Sequence, residues 1–187
     1  MKRKYVLGID PSGAFNEGKG TTGMCLLSKA KYYRLDRTWE IRAKDFFSAE
    51  QYWYEHLRYI ERMHKQHPNL VVSFEEYILY AQKAAAQINS HFETSQLIGV
   101  IRLYCWQNNI PVFSRPAARA KPRWTDEILV HKGILSEEDI VNGYSPHIKD
   151  SIRHAMHCIA FELNKEESNE YRTTHRKSGK ATRSSRR

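Results

Sequence analysis

The sequence is poor in cysteine, in long apolar runs and, towards its end, in acids. Cys25, Cys105 and Cys158 are an odd number, lie far apart and form no C-x-x-C pair. They exclude a disulfide framework and are expected to be reduced core thiols of an intracellular, cytoplasmic protein. No run of about 18 apolar residues occurs, so no membrane-spanning helix is expected. The basic start, Met1 to Tyr5, leads into only a short apolar stretch and then Asp10, which does not fit a secretion signal. No internal repeat is visible, and no acid occurs from Arg172 to Arg187.

What remains is the composition of one globular domain. The chain has 187 residues, 41% of them hydrophobic, enough for a real core but short for two domains. Its net charge is +9, and the seven lysines and arginines from Arg172 onward leave only +2 for residues 1–171. The reading is a folded body over residues 1–165 and a basic tail over 166–187 that cannot bury apolar surface. Such a tail either neutralises nucleic-acid phosphates or simply keeps the chain soluble.

Periodicity divides the body into elements. Lys4 to Asp10 and Gly23 to Leu27 are apolar runs around a Gly-containing loop, an antiparallel hairpin with a long connection. A third strand is expected from Tyr32 to Ile41, with Tyr33, Leu35, Trp39 and Ile41 sharing one parity and Asp36 interrupting on the other. Ser48-Ala-Glu-Gln51 reads as a capping box opening a helix through Tyr52, His56, Leu57, Ile60 and Met63, which stops before Pro68. Asn69 to Phe74 suits a central strand buried on both faces. A long helix is predicted from Ala81 to Trp106, a short strand from Ile110 to Ser114, and an irregular basic stretch from Arg115 to Trp124, where prolines block regular structure. A short helix, Thr125 to Lys132, stops at Gly133, and a last helix runs from Pro146 to about Asn164. Strands followed by βαβ units imply an α/β fold with a mixed sheet, antiparallel hairpin strands plus parallel strands, flanked by helices.

The acids fall where such a sheet collects chemistry. Asp10 ends the first strand and Glu75-Glu76 the central one. If these strands are parallel neighbours, their carboxylates meet at the carboxyl edge, where open α/β sheets place their sites. Crowded carboxylates repel one another unless a cation lies between them. One strand-terminal acid facing water needs no function; the combination gains weight from the last helix. There His147, Asp150 and His154 share a face, opposite the core positions Ile152, Met156, Ile159 and Leu163. A hydrated polar face would have the same pattern, yet imidazole and carboxylate one turn apart are suitable metal ligands.

Four segments, in order, resemble the RuvC-type Holliday junction resolvases of the RNase H-like superfamily. They are Gly8-Ile9-Asp10-Pro11 with Thr22-Gly23; Phe74-Glu75 before a long helix; Ile110-Pro111-Val112-Phe113 with Ala117 and Lys121; and His147-x-x-Asp150-Ser-x-x-His. The resemblance implies an RNase H-like mixed sheet and a catalytic, metal-binding set of Asp10, Glu75, His147 and Asp150. It selects Glu75 over Glu76, a choice that strand parity leaves open. Lys121 matches a basic DNA-contacting position, and Arg115, Arg119 and Arg123 are basic neighbours. The aromatic residue that opens the junction in some relatives is replaced by Ile78, with Tyr77 and Tyr80 nearby as DNA-contact candidates.

The resemblance further implies hydrolysis of branched DNA with two Mg²⁺ ions, replaceable by Mn²⁺ and by Ca²⁺ only with poor turnover, and no small-molecule cofactor. His147 would ligate metal or bond the attacking water or scissile phosphate. Paired cuts in a two-fold junction suit a homodimer; of the apolar positions of the long helix (Ile88, Leu97, Val100, Ile101 and Tyr104) some must pack on the sheet, and the remainder are candidates for the seam. The rival readings are an RNA–DNA hybrid nuclease or transposase-like core, an actin-like ATPase, for which the chain is too short, and a non-catalytic binder of branched DNA.

Overall fold

The computed structural model describes residues 4–16, 18–78 and 92–163. Among them five strands form one sheet in the order β3-β2-β1-β4-β5. β1 (Lys4–Asp10) lies antiparallel to β2 (Thr21–Lys29), and β2 antiparallel to β3 (Tyr33–Arg42). β4 (Leu70–Glu75) is parallel to β1, and β5 (Val112–Arg115) parallel to β4. This is the mixed sheet expected, and it brings the ends of β1 and β4 side by side.

The alternation of side chains along the central strands divides the core into two layers. Leu7, Ile9, Val72 and Phe74 face a cluster completed by Tyr52, Ile60 and Met63 of α1 (Ala49–Gln66) and Leu97, Ile101 and Cys105 of α2 (Glu93–Gln107). Val6, Cys25, Leu27 and Val71 face the other layer, with Ile152, Ala155 and Met156 of the last helix. All three cysteines are buried and none forms a disulfide. Ser48 caps α1 through its Oγ, which accepts from the Gln51 amide, but the Gln51 side chain reaches the amide of Phe47 rather than that of Ser48.

β3 departs from the single parity expected of it. Leu35 pairs with Leu27, whereas Arg37 pairs with Leu26, so Asp36 is an extra residue in a bulge. A one-residue insertion turns the following side chains to the opposite face. Tyr33 and Leu35 therefore pack on the second layer, and Trp39 and Ile41 on the first.

One other expectation requires correction, and two helices differ from expectation in detail or lie partly outside the described residues. The stretch Arg115–Trp124 is not irregular: α3 (Ala117–Ala120) follows Pro116 and continues into a 3-10 turn, Lys121–Arg123. Pro116 precedes the first helical turn and Pro122 lies at the start of the 3-10 turn, positions whose amides have no helical partner to lose. The described part of the long helix starts at Glu93, after Phe92 with φ 48°, and passes through Gly99 to Gln107; residues 81–91, with Ile88, lie outside the described residues. The last helix, α5 (Pro146–His157), becomes a π-helical turn over Cys158–Leu163. Between them α4 (Asp126–His131) ends before Gly133, which has the positive φ (67°) of a helix stop. Asn164 and the basic tail lie outside the described residues. No helix among the described residues is long and apolar enough to cross a membrane.

Candidate active site

Two glycines let α5 approach the sheet where the acids are. A Cβ on Gly8 of β1 would come within 3.0 Å of the Ser151 carbonyl oxygen, and one on Gly23 of β2 within 3.0 Å of the His147 backbone. Gly23 is the cross-strand partner of Asp10. Backbone contact at these points lays the first turn of α5 over the end of β1. Ser145 starts that turn, its Oγ accepting from the Ile148 amide at 3.3 Å, with Pro146 at the first helical position.

The result is a three-acid cluster. Asp10, Glu75 and Asp150 each offer a carboxylate oxygen within 4.8 Å of the others. Glu76 does not join them; its amide donates to the Arg115 carbonyl as the sheet ends. His147, the fourth expected member, donates from Nδ1 to Asp10 Oδ2 at 2.9 Å.

Burial pushes the Asp10 carboxyl up to about 6, and the neighbouring charges of Asp150 and Glu75 add to it, against the opposing bond from His147. Burial acts on Glu75 in the same direction, but there the His154 bond and the Lys121 charge outweigh it and hold the group below the usual carboxylate range.

Besides His147, three positive or imidazole groups reach into this cluster. Lys121 Nζ lies 2.8 Å from Asp150 Oδ2 and 3.2 Å from Glu75 Oε2. Arg153 binds the other oxygen of Asp150, and is itself held by Asp126 and by the Trp124 carbonyl. His154 Nε2 stands 3.4 Å from Glu75 Oε2, and its carbonyl accepts from the Ser73 hydroxyl. The alternative of a hydrated face on α5 does not hold for His154, which is 1% exposed and supports Glu75.

A second support lies under the loop that leaves Asp10. The Tyr52 hydroxyl donates to the Ser12 carbonyl at 2.6 Å, and the Ser12 amide to Thr22 Oγ1 at 3.1 Å. His56 is fully buried; its Nδ1 donates to the Tyr52 carbonyl (2.7 Å), and its Nε2 accepts from Thr22 Oγ1 (2.9 Å). Burial lowers its pKa to about 4, so the ring is neutral. The Gly13 amide donates to Thr94 Oγ1, fixing the same loop to α2.

The expected DNA-contact residues are dispersed. Lys121 is in the cluster itself. Arg115 pairs with Glu162 at 2.8 Å, and the exposed Arg123 lies over the Phe161 ring. Arg119 is exposed on α3. Tyr77 packs partly against the first core layer, Ile78 is exposed, and Tyr80 lies outside the described residues. Arg153, Asp126 and the Tyr52–His56–Thr22 network were not read as site residues in the sequence, and His154 was placed on the face of His147 and Asp150 without a role. Only His154 had a signal, its place one turn beyond Asp150.

The donor set fits a hard divalent cation. It is all carboxylate oxygen with one imidazole at the margin, its strongest buried charge is unfavourable as it stands, and an ammonium already bridges two of the three acids.

No protein-family model matches the sequence, and no curated protein matches it. Solved structures do. RuvC of Thermus thermophilus in complex with a Holliday junction substrate aligns with a TM-score of 0.60 at 14% identity, covering 82% of this chain and 90% of that one. A second T. thermophilus RuvC structure aligns with a TM-score of 0.58 at 16% identity, covering 81% and 91%. At such low identity the likeness establishes the fold. The chain has the RNase H-like α/β fold in the form found in RuvC.

Proposed function

We propose that this protein is a divalent-metal-dependent endonuclease that resolves four-way or otherwise branched DNA. The observation that carries the reading is the convergence of Asp10, Glu75 and Asp150, from β1, β4 and α5, on one point at the carboxyl edge of the sheet. Their placement on a fold similar to that of a junction-bound RuvC supports the substrate.

Asp10, Glu75 and Asp150 would hold the metal, taken to be two Mg²⁺ ions with Mn²⁺ as a substitute, and His147 lies at their margin. Bound there, such ions supply Lewis-acid charge and an activated water for phosphodiester hydrolysis. The protein's own groups do the positioning. His147 holds Asp10 by Nδ1, which leaves Nε2 as the ring atom able to take or give a proton. Arg153 fixes one oxygen of Asp150 and His154 steadies Glu75, so both carboxylates stay aimed at the cluster. Arg119, Lys121 and Arg123, on α3 and the turn after it, supply positive charge for phosphates. Symmetric paired cuts would be made by a homodimer.

Cleavage of a labelled four-way junction in Mg²⁺, beside linear duplex and an RNA–DNA hybrid, tests the proposal, with Asp10→Asn in parallel. Paired nicks confined to the junction and lost in the variant are expected. Cutting of the hybrid alone would remove the junction substrate from the reading. Binding without any cleavage would remove the catalysis.

A further inference from the structure

We propose that Lys121 is an internal counter-ion of the acidic cluster, which a divalent ion must displace, so that uptake of metal and of DNA is coupled through one side chain. The inference rests on the cluster being the metal site proposed above.

The argument is one of space and charge. Lys121 Nζ bonds to Glu75 Oε2 at 3.2 Å and to Asp150 Oδ2 at 2.8 Å, and both acids share the 4.8 Å cluster with Asp10. A Mg²⁺ ion sits about 2.1 Å from carboxylate oxygen. A cation held by those oxygens and an ammonium held by the same oxygens would be in direct contact, like charge against like. One of them must go. Arg153 is poorly suited to leave, since Asp126 and the Trp124 carbonyl hold it as well as Asp150. Lys121 is suited. It lies on a single 3-10 turn, its side chain is 40% exposed, and a lysine ammonium on four methylenes reorients easily.

The displaced ammonium needs a new anion, and a DNA phosphate at the mouth of the cluster is the natural one. Without DNA, Lys121 neutralises the acids and weakens metal binding. With DNA, the phosphate draws Lys121 away and the acids become available. Linkage makes this reciprocal: metal, by releasing Lys121, strengthens phosphate binding by the same factor.

The test is calcium titration of the full chain by calorimetry, for wild type, Lys121→Met, Lys121→Gln and, as a control of equal charge change, the exposed Lys132→Met. Circular dichroism would check folding. The two Lys121 variants are expected to bind calcium about tenfold more tightly than wild type, within the usual range of coupling between sites. Lys132→Met should match wild type. A four-way junction should tighten calcium binding by wild type and do so less for Lys121→Met. Equal or weaker binding by folded Lys121 variants would overturn the exchange while leaving the metal site standing. No calcium binding by wild type or any variant would overturn both the exchange and the metal site.

Discussion

His147 Nδ1 and Asp10 Oδ2 meet at 2.9 Å although 137 residues separate them in the chain. The bond ties the first turn of α5 to the end of β1 and sets the imidazole so that Nε2 is its remaining proton-carrying atom. If that nitrogen serves the reaction, His147→Ala should lower the single-turnover rate of junction cleavage by about 10²-fold, the lower range for general acid–base groups. The imidazole is 44% exposed, so the variant should keep its fold by circular dichroism. A folded variant cleaving at the wild-type rate would exclude His147 from the chemistry.

Two acids of the cluster should respond to neutralisation with opposite signs in stability. Asp10 is ionised at pH 7.5 against a pKa raised to about 6 by burial, so its charge strains the fold. Asp10→Asn keeps an acceptor for His147 and removes the charge, and should stabilise by about 1–2 kcal/mol. Asp150 instead accepts from Lys121 and Arg153, and Asp150→Asn should destabilise by about 1–2 kcal/mol. Urea denaturation of both proteins at pH 7.5 reads this directly. Cleavage should be abolished in both, so loss of activity would track the cluster and not the fold. Equal shifts of the same sign would refute this account of the charges.

Much of this site was legible in the sequence because its acids stand at element ends. Asp10 and Glu75 terminate apolar runs, and His147 and Asp150 open an amphipathic helix. A parallel pairing of β1 with β4 is then enough to bring them together. The choice of Glu75 over Glu76 was not legible in strand parity, since a strand buried on both faces has none to read; it came from the family resemblance alone, and the cluster includes Glu75. The bulge at Asp36 escaped detection because one extra residue preserves the odd-numbered spacing while reversing the face. Lys121 has the sequence context of any solvated basic loop, and only the turn after Pro116 brings its ammonium between Glu75 and Asp150. His56 reads as one more position on the inner face of α1, and its polar partners come from β2 and from its own helix.

Gly8 and Gly23 hold α5 at the distance the site requires. At both positions an added Cβ meets the backbone of α5, which cannot swing aside as a flexible side chain would. Gly8→Ala and Gly23→Ala should each cost about 1–3 kcal/mol from overpacking. Since the helix carries His147 and Asp150, any folded fraction should also lose most of its calcium affinity and cleavage. Gly99, whose Cβ would meet nothing within 4 Å, is the control. Gly99→Ala should be neutral or stabilise α2 by a few tenths of a kcal/mol or more. Denaturation midpoints for the three variants give the comparison, and a Gly23→Ala protein with wild-type stability and metal affinity would contradict the close approach of α5.

The buried His56 should make the stability of the fold depend on pH in a particular window. Its ring stays neutral when folded, with a pKa lowered by burial from 6.5 to about 4. Below pH 6.5 the unfolded chain binds a proton that the folded chain refuses until about pH 4. Protonation therefore favours unfolding throughout that interval. The contribution of the neutral ring is complete above pH 6.5 and is lost as pH falls towards 4, a change of roughly 3 kcal/mol across the window. His56→Gln, which does not titrate, should be less stable than wild type at pH 7.5 because the bonds to Thr22 and the Tyr52 carbonyl are disturbed. It should lose less stability than wild type between pH 7 and pH 5, an interval in which the other groups of the two proteins titrate alike. The difference between the two urea midpoints should therefore shrink as pH falls. A constant difference across that range would mean that His56 takes its proton in the folded state as readily as in the unfolded chain, and that the network beneath Asp10 accommodates the charge.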